Sequence, residues 1–113
     1  MAIQTAAEKN SLATKYAADA LYGALFTTAP GATAGTEVTG GSPAYARKAL
    51  TWSAPSNGVI TASVTFDVPA CTVVGTGVYS ALTAGTYLDG NTVTSVTFST
   101  QDTVTVTFTF SEA

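Results

Sequence analysis

The side chains able to do acid–base or nucleophilic chemistry are few and widely spaced in this chain of 113 residues. It has no His, and its seven Asp and Glu residues face only four Lys and Arg. General acid–base catalysis near neutral pH draws on His, or on carboxylates whose pKa is shifted by close neighbours, and these carboxylates are scattered. A Ser nucleophile or Cys71 would need an activating base, and only Lys9, Lys15 and Lys48 are on offer. Cys71 follows Pro69-Ala70 at the start of a candidate strand and reads as a small core or boundary residue. The chain is therefore not expected to be an enzyme. For a metal ion, Asp67, Asp89, Asn91, Asp102 and Glu112 supply hard oxygen atoms, but no DxDxDG-like spacing gathers them. Asp89-Gly90-Asn91 reads as a turn. No metal, cofactor or catalytic residue is expected.

Binding chemistry has more material. Trp52, Tyr45, Tyr79 and Tyr87 could form a platform for sugar rings, because aromatic faces stack on the apolar faces of sugars; Trp52, Tyr79 and Tyr87 are the candidate glycan contacts. Their alternative role is packing in the sheets. Thr103, Thr105, Thr107 and Thr109 have the Thr-x-Thr spacing of ice-binding surfaces, but one such strand makes no flat array and ordinary strand propensity accounts for it. Four basic residues cannot coat a phosphate backbone, so nucleic acid is an unfavourable partner. No apolar run reaches the ~18 residues of a membrane helix. A single Cys excludes an intramolecular disulfide, leaving stability to packing or to neighbouring subunits.

The elements that must position these groups form one domain over residues 1–113, with an N-terminal segment 1–22 and a β region 23–113. Ala and Leu spacing predicts a helix over Asn10–Tyr22, capped by Asn10 or Ser11. Leu12, Tyr16 and Leu21 on it are the candidate contact residues: the helix either covers a sheet edge or docks on another subunit. From Gly23 onward Thr, Val, Tyr and Phe alternate, which suits half-buried strands. Strands are predicted at Leu25–Thr28, Tyr45–Trp52, Val59–Val68, Thr72–Leu82 and Thr103–Phe110, with Tyr87-Leu88 and Val93–Phe98 as the arms of a hairpin about Asp89-Gly90-Asn91. Asn57-Gly58 suits a turn with positive φ. The fold class that follows is mainly β: an antiparallel β-sandwich, jelly-roll or Ig-like, preceded by one short N-terminal helix.

Residues 29–44 fit no core pattern and are long for a loop. Pro30, Gly31, Glu37, Val38, Gly40, Gly41 and Pro43 are the candidate contact residues of an arm ordered by a neighbouring subunit; the alternative is an Ω-like loop folded on its own domain.

The run Leu25-Phe-Thr-Thr-Ala-Pro-Gly through Glu37-Val-Thr-Gly-Gly-Ser and Tyr45-Ala-Arg47, followed by Val64–Ala70 and Gly85–Gly90, resembles small virion proteins of tailed bacteriophages, notably of actinobacterial hosts. These are commonly labelled tail-fibre, minor tail or minor capsid proteins. The resemblance implies a β-sandwich virion component without catalytic residues. It implies partners among other virion proteins, such as the major capsid protein or tail proteins, together with copies of itself and, in the attachment role, a host-surface glycan. No membrane partner is implied. Met1–Asn10 lacks the basic and apolar regions of a secretory signal, so the chain is expected to be made in the host cytoplasm and to reside on the particle exterior. Because 113 residues hold no long repetitive shaft, the expected role is a multi-copy capsid decoration or minor capsid protein that stabilises the shell. The alternatives are a minor tail or tail-fibre protein acting in host attachment, and a carbohydrate-binding module.

Overall fold

A computed structural model describes residues 5–111. One helix, α1 (Ala6–Asp19), precedes six strands: β1 (Tyr22–Phe26), β2 (Lys48–Ala49), β3 (Val59–Val68), β4 (Cys71–Tyr79), β5 (Tyr87–Phe98) and β6 (Asp102–Ser111). They form two antiparallel sheets, ordered β2-β1-β4-β5 and β3-β6, that face each other as a sandwich. The mainly β, antiparallel architecture with a single N-terminal helix is the one predicted from the sequence.

The core lies between the sheets. Strict alternation along β3 sends Ile60, Ala62, Phe66 and Val68 inward, while Thr61, Ser63 and Thr65 stay exposed. Phe108 of β6, paired with Ala62, extends this inner face, and facing it are Leu25 of β1 and Val73 and Val78 of β4. Val73 and Val78 are an odd number of residues apart, yet both reach this core, because the β4–β5 register shifts between Val73 and Gly75. A smaller cluster of Ala24, Phe26 and Tyr79, with Tyr87 against it, covers the opposite face of the four-stranded sheet. Gly77 lies under the Phe26 ring, which is 2.5 Å from where a Cβ would stand, so a side chain there would lift Phe26 off the sheet.

Three expectations require correction. The helix starts earlier, at Ala6, because Thr5 rather than Asn10 or Ser11 caps it, accepting the Glu8 N–H at 3.3 Å; Asn10 instead accepts the Gly58 N–H at 2.8 Å and ties the helix to the turn before β3. The strand expected over Tyr45–Trp52 shrinks to Lys48–Ala49, since Tyr45 and Arg47 turn away to bond Glu37 and Trp52 donates to the Ala20 carbonyl. Asp89-Gly90-Asn91 is no turn. It pairs with Val78-Gly77-Thr76, so β5 is one strand of 12 residues, the local turn preference yielding to pairing with β4. By contrast, Asn57 (φ 52°) and Gly58 (φ 81°) do form the expected tight turn, closed by both bonds between Ser56 and Val59.

Candidate functional site

The densest polar cluster joins three segments that strand pairing alone leaves apart. Arg47 grips Glu37 with two parallel bonds, Nε to Oε2 and Nη2 to Oε1, each 3.0 Å. Its Nη1 donates to the carbonyls of Ala81 (3.0 Å) and Ala84 (2.7 Å), and its guanidinium lies 3.5 Å from the centre of the Tyr79 ring. Tyr45 donates to Glu37 Oε2 at 2.7 Å and accepts the Leu25 N–H at 3.0 Å. Burial raises the Tyr45 hydroxyl well above its ordinary value; the Leu25 N–H opposes this, while the hydrogen bond and charge of Glu37 add to it against a last, smaller lowering by Arg47. For Arg47, burial lowers the pKa, but the bonds and charge of Glu37, with Tyr79 and Tyr45 nearby, raise it overall. Four of the five guanidinium N–H groups, the Tyr45 hydroxyl and both Glu37 oxygens have partners here, so the cluster holds the loops together.

This cluster also settles how residues 29–44 lie. The interval folds back on its own domain: Glu37 bridges Phe26, the Val38 N–H bonds the Leu25 carbonyl, and Val38 enters the core at 2% exposure. Pro30 is buried against Gly75 and Gly90, and Gly31 accepts the Tyr87 hydroxyl at 2.8 Å. Gly40, Gly41 and Pro43 remain exposed, with Gln101 bonding Ser42 and Pro43. The stretch has the geometry of the Ω-like loop rather than of an extended arm, because Val38 and Pro30 have apolar sites on their own domain to fill. Sequence reading missed Arg47, whose signal was being the sole Arg in the chain, two residues from Tyr45.

The three candidate glycan aromatics are not brought together. Tyr79 and Tyr87 pack edge-on, 5.7 Å apart, on the outer face of the four-stranded sheet. Trp52 sits by the helix, with Tyr16 at 5.7 Å. Of the helix candidates, Tyr16 faces the body and stacks on Phe110 at 4.1 Å, whereas Leu12 and Leu21 are exposed. Burial, and then the charges of Asp89 and Tyr87, push the Tyr16 hydroxyl up to about 12.

Two concave surfaces remain: a depression of about 440 Å³ over the Glu37–Arg47 cluster, lined by Val38, Tyr45, Arg47, Leu82 and Ala84, and a seam along one side, where the two sheets splay apart between β5 and β6. Beside the helix it is a polar cleft of about 80 Å³ lined by Tyr16, Trp52, Asp89, Asn91 and Thr109. Farther along it becomes an apolar groove of about 350 Å³ lined by Val93, Val96, Phe98, Val104 and Val106. Thr76 and Thr107 line both, so the two make one continuous seam. Among the described residues, no group of three His, Cys, Asp or Glu side chains gathers at a possible metal position; Glu112 lies outside them. Cys71 packs against the core, and burial raises its thiol pKa. No helix of the described residues is long and apolar enough to cross a membrane.

Comparison with known proteins adds one decisive match. The family described as podophage GP4 fiber I protein gp80 matches residues 7–111, from the first turn of α1 to the last residue of β6. The chain belongs to this phage fibre family. No curated protein and no solved structure gives a significant match. The span of the fibre family thus takes in the Glu37–Arg47 cluster and the β5/β6 seam alike, together with the helix that closes the polar end of that seam.

Proposed function

We propose that the chain is a non-enzymatic structural component of a bacteriophage tail fibre or its attachment apparatus, carried on the particle exterior. The observation that carries this reading is the fibre-family match over nearly the whole chain. The geometry is consistent with it: the one dense polar cluster holds loops together, and the β5/β6 side carries an apolar groove without charged lining residues, suited to packing against other protein. This reading replaces the capsid-decoration role favoured by chain length, since the fibre family supports the tail alternative. A short chain is compatible with a fibre when it is one module of a larger assembly of virion proteins.

The test is location and stoichiometry. Gold-labelled antibody against this chain, viewed on intact particles by electron microscopy, is expected to decorate the tail region, with a small number of copies per particle. Labelling spread over the capsid, with hundreds of copies, would overturn the fibre reading in favour of shell decoration.

A further inference from the structure

The inner face of the four-stranded sheet changes character at its end beside the helix. Over most of its length Leu25, Val73 and Val78 turn to the core. Asp89 and Asn91 of β5 stand opposite Val78 and Thr76 of β4, and residues directly opposite in a ladder share a face. A carboxylate, an amide and a hydroxyl therefore point to the same inner side as Val78. Tyr16 of α1 and Trp52 line the same cleft of about 80 Å³. Both rings are held in place: Tyr16 stacks on Phe110 at 4.1 Å, Trp52 donates its indole N–H to the Ala20 carbonyl at 2.8 Å, and the two meet edge to face at 5.7 Å. The polar groups are only partly used. Asp89 Oδ1 accepts the Gly90 N–H at 2.8 Å, while among the described residues its Oδ2, the Asn91 amide and the Tyr16 hydroxyl have no hydrogen-bond partner. Polar side chains on the core face of a sandwich break the pattern that builds the rest of this core, and such breaks concentrate at functional sites.

We infer that this cleft binds the hydroxyl-bearing edge of one neutral sugar ring, with Asp89 and Asn91 bonding adjacent hydroxyls and Tyr16 and Trp52 bounding the ring's apolar side. Each group suits that ligand. A sugar hydroxyl both donates and accepts; the free carboxylate oxygen takes its proton, and an amide can serve either role. Aromatic surface covers the C–H groups that a sugar ring presents beside its hydroxyls. Because the two rings are already fixed, little ordering is lost when a ligand enters. Size limits the occupant. A cleft of about 80 Å³ holds roughly six water molecules and falls below the ~300 Å³ of pockets that enclose drug-sized ligands. It takes part of one ring and leaves the rest in solvent. Charge limits it further: Asp89 is the only charged residue of the lining, so a uronic acid or a phosphate would meet a like charge with no cation to offset it. Tyr79 and Tyr87, on the outer face of the sheet, take no part. This inference rests on the lining of the cleft and not on where in the virion the chain sits.

Trp52 is the sole Trp of the chain, so its fluorescence reports on the cleft directly. The experiment titrates the full chain with glucose, galactose, mannose and N-acetylglucosamine up to about 100 mM, because a ring of about 12 heavy atoms supports a Kd on the order of millimolar. Glucuronate is the anionic counterpart, and amide NMR spectra are recorded alongside. At least one neutral sugar is expected to change Trp52 emission saturably and to move the signals of residues 76–78 and 89–91, with glucuronate binding about tenfold more weakly or worse. Asp89→Ala and Asn91→Ala are each expected to weaken binding about tenfold with an unchanged circular dichroism spectrum, and Leu82→Ala, on the other depression, to leave it unchanged. No saturable response to any neutral sugar overturns the inference, as does glucuronate binding equally well, or undiminished binding in the folded Asp89→Ala and Asn91→Ala chains. Should those variants fold poorly, the wild-type spectra decide: shifts confined to residues outside the cleft overturn it. Capsid labelling in the location test would leave this result standing, and failure of every sugar would leave that test untouched.

Discussion

The Glu37–Arg47 side and the β5/β6 side of this molecule use one low-charge composition in opposite ways. On the first, a single ion pair, a Tyr hydroxyl and two backbone carbonyls are closed into a network whose side chains are only 10% and 23% exposed at the pair itself. On the second, strands of 12 and 10 residues end in open edges with Val93 and Val96 toward solvent. Polar groups held in a partly dry environment are costly to leave unpaired, so the first side resists change. The second leaves apolar side chains half exposed, so changes there are expected to cost the isolated fold less. With so few charges available, placing Glu37 and Arg47 in a loop lock leaves the strand edges without the gatekeepers that keep sheets apart.

The comparison breaks most sharply at Arg47. Arg47→Ala leaves the Glu37 carboxylate without its cation and two carbonyls without their donor, and is expected to cost about 3 kcal/mol, lowering the thermal midpoint by roughly 10–20 °C for a domain of this size; a loss within error in chemical denaturation would show that the cluster is ornamental to the fold. Tyr45→Phe removes the acceptor of the buried Leu25 N–H as well as a donor to Glu37, with an expected loss of about 2 kcal/mol. A smaller effect comes from pH. The neutral Tyr16 hydroxyl is favoured by folding, with its pKa raised from 10 to about 12, so its contribution is complete below pH 10 and is lost as pH rises from there through 12. Tyr45, Tyr79 and Tyr87 shift in the same direction. Thermal midpoints are thus expected to be flat from pH 7 to 10 with respect to these groups and to fall above it, in step with tyrosinate absorbance; a fall that is already complete at pH 9 would contradict the assignment. Solvent screening at the half-buried Tyr16 keeps its own share to on the order of 1 kcal/mol. The smallest effect on stability is expected on the open side, where Val96→Lys should change the unfolding free energy of the dilute monomer by under about 0.5 kcal/mol. A large loss there would erase the contrast between the two sides.

Legibility from sequence followed how local each signal was. β3 was predicted over the residues it occupies, and β6 extends one residue beyond each predicted end, because their alternation is set by one buried and one solvated face along a regular ladder. The Asn57-Gly58 turn was legible for the same reason, since positive φ at both positions is a local demand. Asp89-Gly90-Asn91 carried an equally local turn signal and misled, because its fate depended on β4 lying alongside. Tyr45 and Arg47 looked like strand residues until Glu37, at a distance of eight to ten positions, supplied them with partners. The aromatic trio Trp52, Tyr79 and Tyr87 could be chosen by type but not by place: Tyr79 and Tyr87 share one face of the four-stranded sheet, while Trp52 lies elsewhere, beside the helix.

Sequence by itself determined a mainly antiparallel β domain with one helix, poor in charge and catalytic side chains, because composition and period-two patterning depend only on which residues follow one another. Its motifs also pointed to phage virion proteins. Tertiary structure decided that residues 29–44 fold home rather than reach out, that Glu37 and Arg47 form one lock, and that β5 and β6 leave a seam open between the sheets. Those outcomes rest on which distant groups find each other: a buried polar group must find a partner somewhere in the fold, and an edge strand stays open only if no other segment covers it.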